Sequence, residues 1–227
     1  MSTSHTLRVN DSDLRFLSAG WRALTGACVG GGESAERWLA ALTRQYSAPE
    51  RHYHNLHHVA EMLRLVERFE SAAADYNAVR FATWFHDAVY DTRSRTNEEE
   101  SALLAERALD DLRVPPERAE AVRRLILATR RHEAEGDVPD VGLFLDADLS
   151  ILGAEGETYL AYSEAIRAEY SWVPDAAYRE GRLKVLTNFL GRERLYYTEP
   201  LAARFEARAR SNLSNEILTL TSQAGFG

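Results

Sequence analysis

Apolar residues recur three or four positions apart along most of the chain, whereas no convincing run alternates apolar with polar residues. One clear example is the line formed by Leu56, Val59, Leu63 and Val66. This spacing places side chains on one face of an α-helix, and strands require a period of two. We therefore predict an all-α fold.

The breaks between these helical patterns are short and consist of glycine, proline or polar residues, such as Gly30 to Gly32 and Pro115-Pro116. No internal repeat or low-complexity linker divides the 227 residues, and 45% apolar residues are enough to bury a sizeable core. We predict one domain over residues 1–227, with a motif-bearing core at about 50–155 and a helical C-terminal extension at about 156–220. Residues 221–227 are expected to fray.

Composition narrows the function classes. A formal charge of −8 lacks the basic footprint that nucleic-acid polymers require, so no such partner is expected. The single cysteine, Cys28, cannot form an internal disulfide, and no signal-peptide pattern opens the chain. No apolar run approaches the roughly 20 residues that span a bilayer. These features predict a cytoplasmic protein with no membrane association.

Five of the seven histidines lie between positions 52 and 86. Imidazole and carboxylate ligands together suit a divalent ion of intermediate hardness. His86 directly precedes Asp87, and adjacent residues on a regular helix point about 100° apart, so both can bind one ion only at a helix end. Asp148 lies in a strongly apolar stretch, where an unpaired carboxylate is costly and a metal would stabilise it.

The order of these residues resembles the HD superfamily of metal-dependent phosphohydrolases, whose pattern is H…HD…D on an all-helical core. The likeness is closer to a subfamily of predicted HD phosphohydrolases and covers roughly residues 50–155. It depends on residues 53–58 (YHNLHH), 84–91 (WFHDAVYD), Asn97-Glu98 with Ser101-Ala102, and 145–153. The resemblance implies a single-domain, HD-type helical bundle.

The resemblance also implies ligands for one divalent ion: His58, His86, Asp87 and Asp148. His54 and His57 are alternatives to His58, but His58 occupies the last position of the family's spacing. The family's Ala-Asp pair matches Ala147-Asp148, which leaves Asp146 to orient a histidine. The metal stays open among Mn, Co, Fe, Ni, Zn and Mg. A second ion would need further histidines, and only His132 lies between the His-Asp pair and Asp148.

The implied reaction is attack of metal-activated water on a small phosphorylated metabolite, such as a nucleotide. We predict His54, Asp87 and Asp146 as catalytic residues, with His54 or a carboxylate protonating the leaving oxygen. Arg182, Arg192 and His132 are the predicted substrate-binding residues. A non-catalytic nucleotide- or metal-binding module is the first alternative and a di-iron oxygenase the second, with a structural protein last. A homo-oligomer stays open.

Overall fold

Ten α-helices and no strand make up the part of the chain that the computed structural model describes, which is residues 7–134 and 140–222. The prediction of an all-α fold is confirmed. Two short 3₁₀ segments, Glu70–Ala72 and Leu149–Gly153, accompany the helices. The helices are α1 (Asp11–Thr25), α2 (Glu33–Tyr46), α3 (Leu56–Arg68), α4 (Tyr76–Phe85), α5 (Asn97–Asp111), α6 (Pro116–Ala128), α7 (Val141–Asp148), α8 (Gly156–Glu169), α9 (Asp175–Leu190) and α10 (Glu199–Ser222).

The start of α3 is fixed by Asn55. Its side-chain oxygen accepts a hydrogen bond of 2.8 Å from the backbone N–H of His57. Its amide nitrogen donates to the carbonyl oxygens of Leu7 and His52, each at 3.0 Å. An asparagine at this position satisfies an N–H that the first helical turn leaves without a partner. The cap therefore sets His58 in the first turn of α3.

α4 is a deeply buried helix near the predicted site. Seven of its ten residues are buried, and Trp84 meets Trp21 of α1 edge to face, with ring centroids 5.2 Å apart. Such aromatic pairs add to the stability gained by burying the rings. α3, α4 and α7 each contact the other two. The C-terminal end of α4 therefore lies beside α3 and α7, which carry the other predicted ligands.

The C-terminal extension packs onto the rest of the chain through the 3₁₀ segment Leu149–Gly153, which α10 covers. The fit is close at Gly153, where an added Cβ would lie 2.7 Å from Cβ of Phe205. Buried side chains from α1 through α10 form one hydrophobic core. α10 extends to Ser222, so residues 221 and 222 are helical, and residues 223–227 lie outside the described range. No helix within the described ranges is long and apolar enough to cross a membrane.

Candidate metal centre

Three predicted ligands converge from three different helices. His58 lies in the first turn of α3, His86 directly follows α4, and Asp148 ends α7. Nε2 of His58 is 3.2 Å from Nε2 of His86 and 3.2 Å from Oδ1 of Asp148, and Nε2 of His86 is 3.7 Å from the same oxygen. One ligand atom from each lies within 4.8 Å of the others. These residues form a group that could hold a metal ion.

Asp87 extends the group from the end of α4. The helix ends at Phe85, and His86 keeps helical backbone angles of φ −56° and ψ −39°. Oδ2 of Asp87 then reaches within 3.1 Å of Nε2 of His86. Ligands about 2.1 Å from one ion and at right angles are about 3.0 Å apart, so this separation suits His86 and Asp87 as neighbouring ligands. Asp87 lies outside the set of three residues whose ligand atoms are all within 4.8 Å of one another.

The hydrogen bonding of His86 determines which ring nitrogen faces the group. Its Nδ1 is 3.0 Å from the carbonyl oxygen of Thr83. Because a carbonyl oxygen only accepts, Nδ1 must carry a proton, which leaves a lone pair on Nε2 of the neutral ring. That lone pair faces carboxylate oxygens of Asp87 and Asp148. A proton or a cation must lie among these buried acceptors, since they would otherwise repel one another.

The pKa values of His86, Asp87 and His58 are all shifted by this arrangement. Burial lowers the pKa of His86, but the charge of Asp87 and the hydrogen bond to it outweigh burial and raise the pKa to about 9. Burial likewise opposes the charge on Asp87, yet His86 holds the pKa of that carboxyl well below its usual range. The pKa of His58 is lowered, chiefly by burial. The carboxylates of Asp87 and Asp148 therefore favour positive charge at His86.

Arg51, which the sequence patterns did not single out, holds the His-Asp segment in place. Its buried guanidinium donates to the backbone carbonyl oxygens of Asp87 at 2.6 Å, Ala88 at 3.0 Å and His54 at 3.0 Å. Two of these carbonyls follow α4 and the third lies in the loop before α3, so one planar guanidinium satisfies acceptors of both segments. The contacts tie the loop that carries Asp87 to the loop that carries His54.

Glu169, at the end of α8, is a second residue that the sequence patterns missed. Its Oε1 accepts from the backbone N–H groups of Tyr53 and His54, at 2.7 and 2.9 Å. Its Oε2 lies 2.7 Å from Nδ1 of His54 and accepts from the Tyr90 hydroxyl at 3.1 Å. The carboxylate therefore binds a proton on Nδ1 of His54 and leaves Nε2 directed toward Asp87, 4.0 Å from its Oδ2.

His132 also joins the group. Its Nε2 is 3.0 Å from Oδ2 of Asp148, the oxygen that His58 does not contact. The residue has a positive φ of 50°, which is uncommon for a side chain with a Cβ. Arg192 holds this turn by donating to the carbonyl oxygens of His132 and Arg131, and it does not line the cavity described below. The structure therefore places Arg192 behind His132, away from the predicted substrate contact.

Asp146 is not brought to the group. Its carboxylate accepts from the backbone N–H groups of Tyr197 and Thr198, each at 2.7 Å, and from the Thr198 hydroxyl. Residues two apart on a helix point about 200° from each other, so Asp146 and Asp148 face opposite sides of α7. These hydrogen bonds join α7 to the segment before α10, and none of them reaches a histidine that Asp146 was predicted to orient.

A cavity of about 530 Å³ opens beside the group and is lined by His54, Asp87, His132 and Asp148. Arg182 also lines it, but the guanidinium is paired with Glu216 through Nε at 2.8 Å and Nη2 at 3.1 Å. Both side chains of this pair are less than a tenth exposed. Arg182, a predicted substrate-binding residue, therefore lines the cavity, but Glu216 already balances its charge.

A second group, formed by Asp13, His57 and Glu61, also has metal-ligand spacing. Arg64 donates to Oδ1 of Asp13 and to Oε1 of Glu61, each at 2.7 Å. His57 lies 3.0 Å from the other oxygen of Asp13. Because a guanidinium already provides the positive charge here, an added cation would be repelled, and the buried group around His86 is the better candidate.

No protein-family model, curated protein or solved structure matches this chain. The functional interpretation therefore depends on the residues and the geometry described above.

Proposed function

We propose that this protein is a metal-dependent phosphohydrolase of the HD type, which cleaves a small phosphate ester by attack of water. The observation that carries the proposal is the convergence of His58, His86 and Asp148, of which Asp148 also lines a ligand-sized cavity. Oδ2 of Asp87 lies 3.1 Å from Nε2 of His86. Buried carboxylates and imidazoles in this arrangement need a cation to balance them, and the cavity would give a substrate access to that cation.

The four side chains offer two imidazole nitrogens and two carboxylates. This set favours a first-row ion such as Mn, Fe, Co, Ni or Zn over Ca, which prefers oxygen ligands alone, and Mg also stays within the proposal. One divalent ion per chain fits the spacing, and when bound it would acidify a water molecule and offset charge on the phosphoryl oxygens. The thermal and chemical stability of the protein should then depend on that ion.

The remaining roles belong to side chains at the cavity wall. His54 lines the cavity, with Nδ1 held by Glu169 and Nε2 directed toward Asp87, and in the proposed reaction it gives a proton to the leaving oxygen. Glu169 acts as a positioning residue, because it holds His54 and Tyr90 and is not itself among the described residues that line the cavity. Asp87 and Asp148 hold the ion, and His132 contacts Asp148.

The test is metal-dependent phosphate release from a panel of phosphate esters, with Mn²⁺, Co²⁺ or Mg²⁺ added to protein purified without chelators. His58→Gln should lose release at least a hundredfold, whereas His52→Gln should keep it. His52 is the matched control because it is a histidine with an exposed side chain in the loop that precedes α3.

Two other outcomes would replace the proposal. Bound metal with no release from any ester would favour a binding module in which turnover is absent. Iron near two atoms per chain would favour a di-iron oxygenase, with His132 among the extra ligands that such a centre needs.

A further inference from the structure

Much of the cavity wall is apolar and aromatic. This part is formed mainly by α8, α9 and the segment between them, with Tyr162, Ile166, Trp172, Tyr178, Val185 and Phe189 among its side chains. A cavity of about 530 Å³ is in the range that encloses most of a drug-sized molecule. The volume beyond the ion is therefore shaped for an organic group that prefers to leave water.

Two apolar side chains on this wall are exposed to an unusual degree. Trp172 is 47% exposed and Val185 is 45% exposed, and both line the cavity. Exposed apolar side chains that are scattered singly need no explanation, but those gathered at the mouth of a cavity mark a binding surface. A ligand lying against them would cover surface that the protein alone leaves in water.

The charges around the cavity do not suit a polyanion. Among the described residues that line it, Arg182 is the only arginine or lysine, and Glu216 already balances it. Three carboxylates also line the cavity, from Asp87, Glu98 and Asp148. The charge of His54 is paired with Glu169, and a divalent ion would offset two of the three carboxylate charges. No excess positive charge is then left to match the four negative charges of a nucleoside triphosphate.

We propose that the substrate is a phosphate monoester with one phosphate group and an apolar or aromatic organic part, and that polyphosphates are excluded. The single phosphate would meet the metal group, and the organic part would lie between α8 and α9 against Val185 and Phe189. This inference rests on the proposed function for the position of the phosphate. The preference for the organic part follows from the cavity wall alone.

The experiment measures binding with probes that cannot be hydrolysed. The Mn²⁺-loaded protein is titrated calorimetrically with 1-naphthylmethylphosphonate, methylphosphonate and adenosine 5′-(β,γ-methylene)triphosphate, each in excess Mn²⁺. We expect the naphthyl compound to bind at least tenfold more tightly than either of the others. Tenfold corresponds to about 1.4 kcal/mol, which partial burial of the rings readily supplies.

Two variants at the cavity mouth sharpen the test. Val185→Glu should weaken binding of the naphthyl compound at least fivefold, and Val185→Lys should tighten binding of the triphosphate analogue at least fivefold. Leu160→Glu is the matched control, since Leu160 is an exposed apolar residue of α8 that does not line the cavity. That variant should bind all three probes as the unmodified protein does.

Equal affinity for the two phosphonates, or tighter binding of the triphosphate analogue, would overturn the inference. Phosphate release is measured separately on 1-naphthyl phosphate, glycerol phosphate and ATP. Release from all three at equal rates would uphold the phosphohydrolase and sink the inference. Preferential binding of the naphthyl compound with no release from any ester would uphold the preference and sink the proposed reaction.

Discussion

Replacing Glu169 with glutamine tests how much the buried carboxylate at the end of α8 contributes to stability. The glutamine side chain is nearly isosteric with glutamate, and its oxygen can still accept the two backbone N–H hydrogen bonds that Oε1 accepts from Tyr53 and His54. Its NH₂ group, however, would face the N–H of His54 and the hydroxyl of Tyr90, where Oε2 now accepts. Glu169→Gln therefore removes the charge-assisted contacts without opening a cavity.

The pKa of Glu169 gives the magnitude. Burial raises it, but the charge of His54 and the hydrogen bonds of the loop outweigh burial and lower the pKa from 4.5 to about 2. At about 1.36 kcal/mol per pH unit, this shift corresponds to about 3 kcal/mol of folding free energy at neutral pH. No discount for solvent applies, because the side chain of Glu169 is fully buried.

The sign of the pH dependence follows from the lowered pKa. The stabilisation is complete above the unfolded-state value of 4.5 and is lost as the pH falls toward the folded-state value of about 2. At pH 3.5 the difference between the unmodified protein and the variant should therefore shrink by about 1.4 kcal/mol.

Urea unfolding followed by circular dichroism, at pH 7 and at pH 3.5, measures both quantities. Glu164→Gln is the control, because Glu164 is an exposed residue of the same helix. We expect that control to change the free energy of unfolding by less than about 0.5 kcal/mol. Equal stability of Glu169→Gln and the unmodified protein at pH 7, or an equal loss at both pH values, would refute the reasoning.

Asp146→Ala should lower stability by about 1–3 kcal/mol, because the N–H groups of Tyr197 and Thr198 lose their acceptor, and it should keep the bound metal. Loss of metal from the folded variant, seen by elemental analysis, would contradict this placement. Gly153→Ala should cost about 1–3 kcal/mol in urea unfolding, since the added methyl meets the Cβ and backbone oxygen of Phe205. An unchanged urea midpoint would show that α10 shifts to accommodate the added methyl group at little cost. A chelator should lower the Tm by about 5–10 °C if the ion was present at about a hundred times its Kd. The Tm of His86→Gln should not respond to the chelator. An equal decrease in Tm in both proteins would show that the chelator acts at a site other than the group around His86.

The helices could be predicted from the sequence because their burial follows a local pattern. Leu56, Val59, Leu63 and Val66 lie on one face of α3, and all four are buried. The gathering of His58, His86 and Asp148 was anticipated from motif order, and the structure brings these side chains together. The start of α2 is less predictable, because the helix begins at Glu33 after Gly32, whose φ is 74° and which offers no capping side chain.

The partners of the group could not be read from local spacing. Glu169 is 115 residues from His54, and Arg51 reaches the carbonyls of residues more than 35 positions away. Such contacts depend on how the helices pack, and an acidic residue in an amphipathic helix looks the same in sequence whether exposed or buried. Asp146 is different, since a helix through Asp148 already implies that side chains two apart diverge.

The metal content of the purified protein tests the central claim most directly. Elemental analysis of protein made without chelators should find close to one divalent ion per chain in the unmodified protein and in His52→Gln, and almost none in folded His86→Gln. Absence of metal from the unmodified protein, even after incubation with Mn²⁺, Co²⁺ or Zn²⁺, would contradict the account. Equal metal in all three proteins would also contradict it, because the ion would then lie elsewhere.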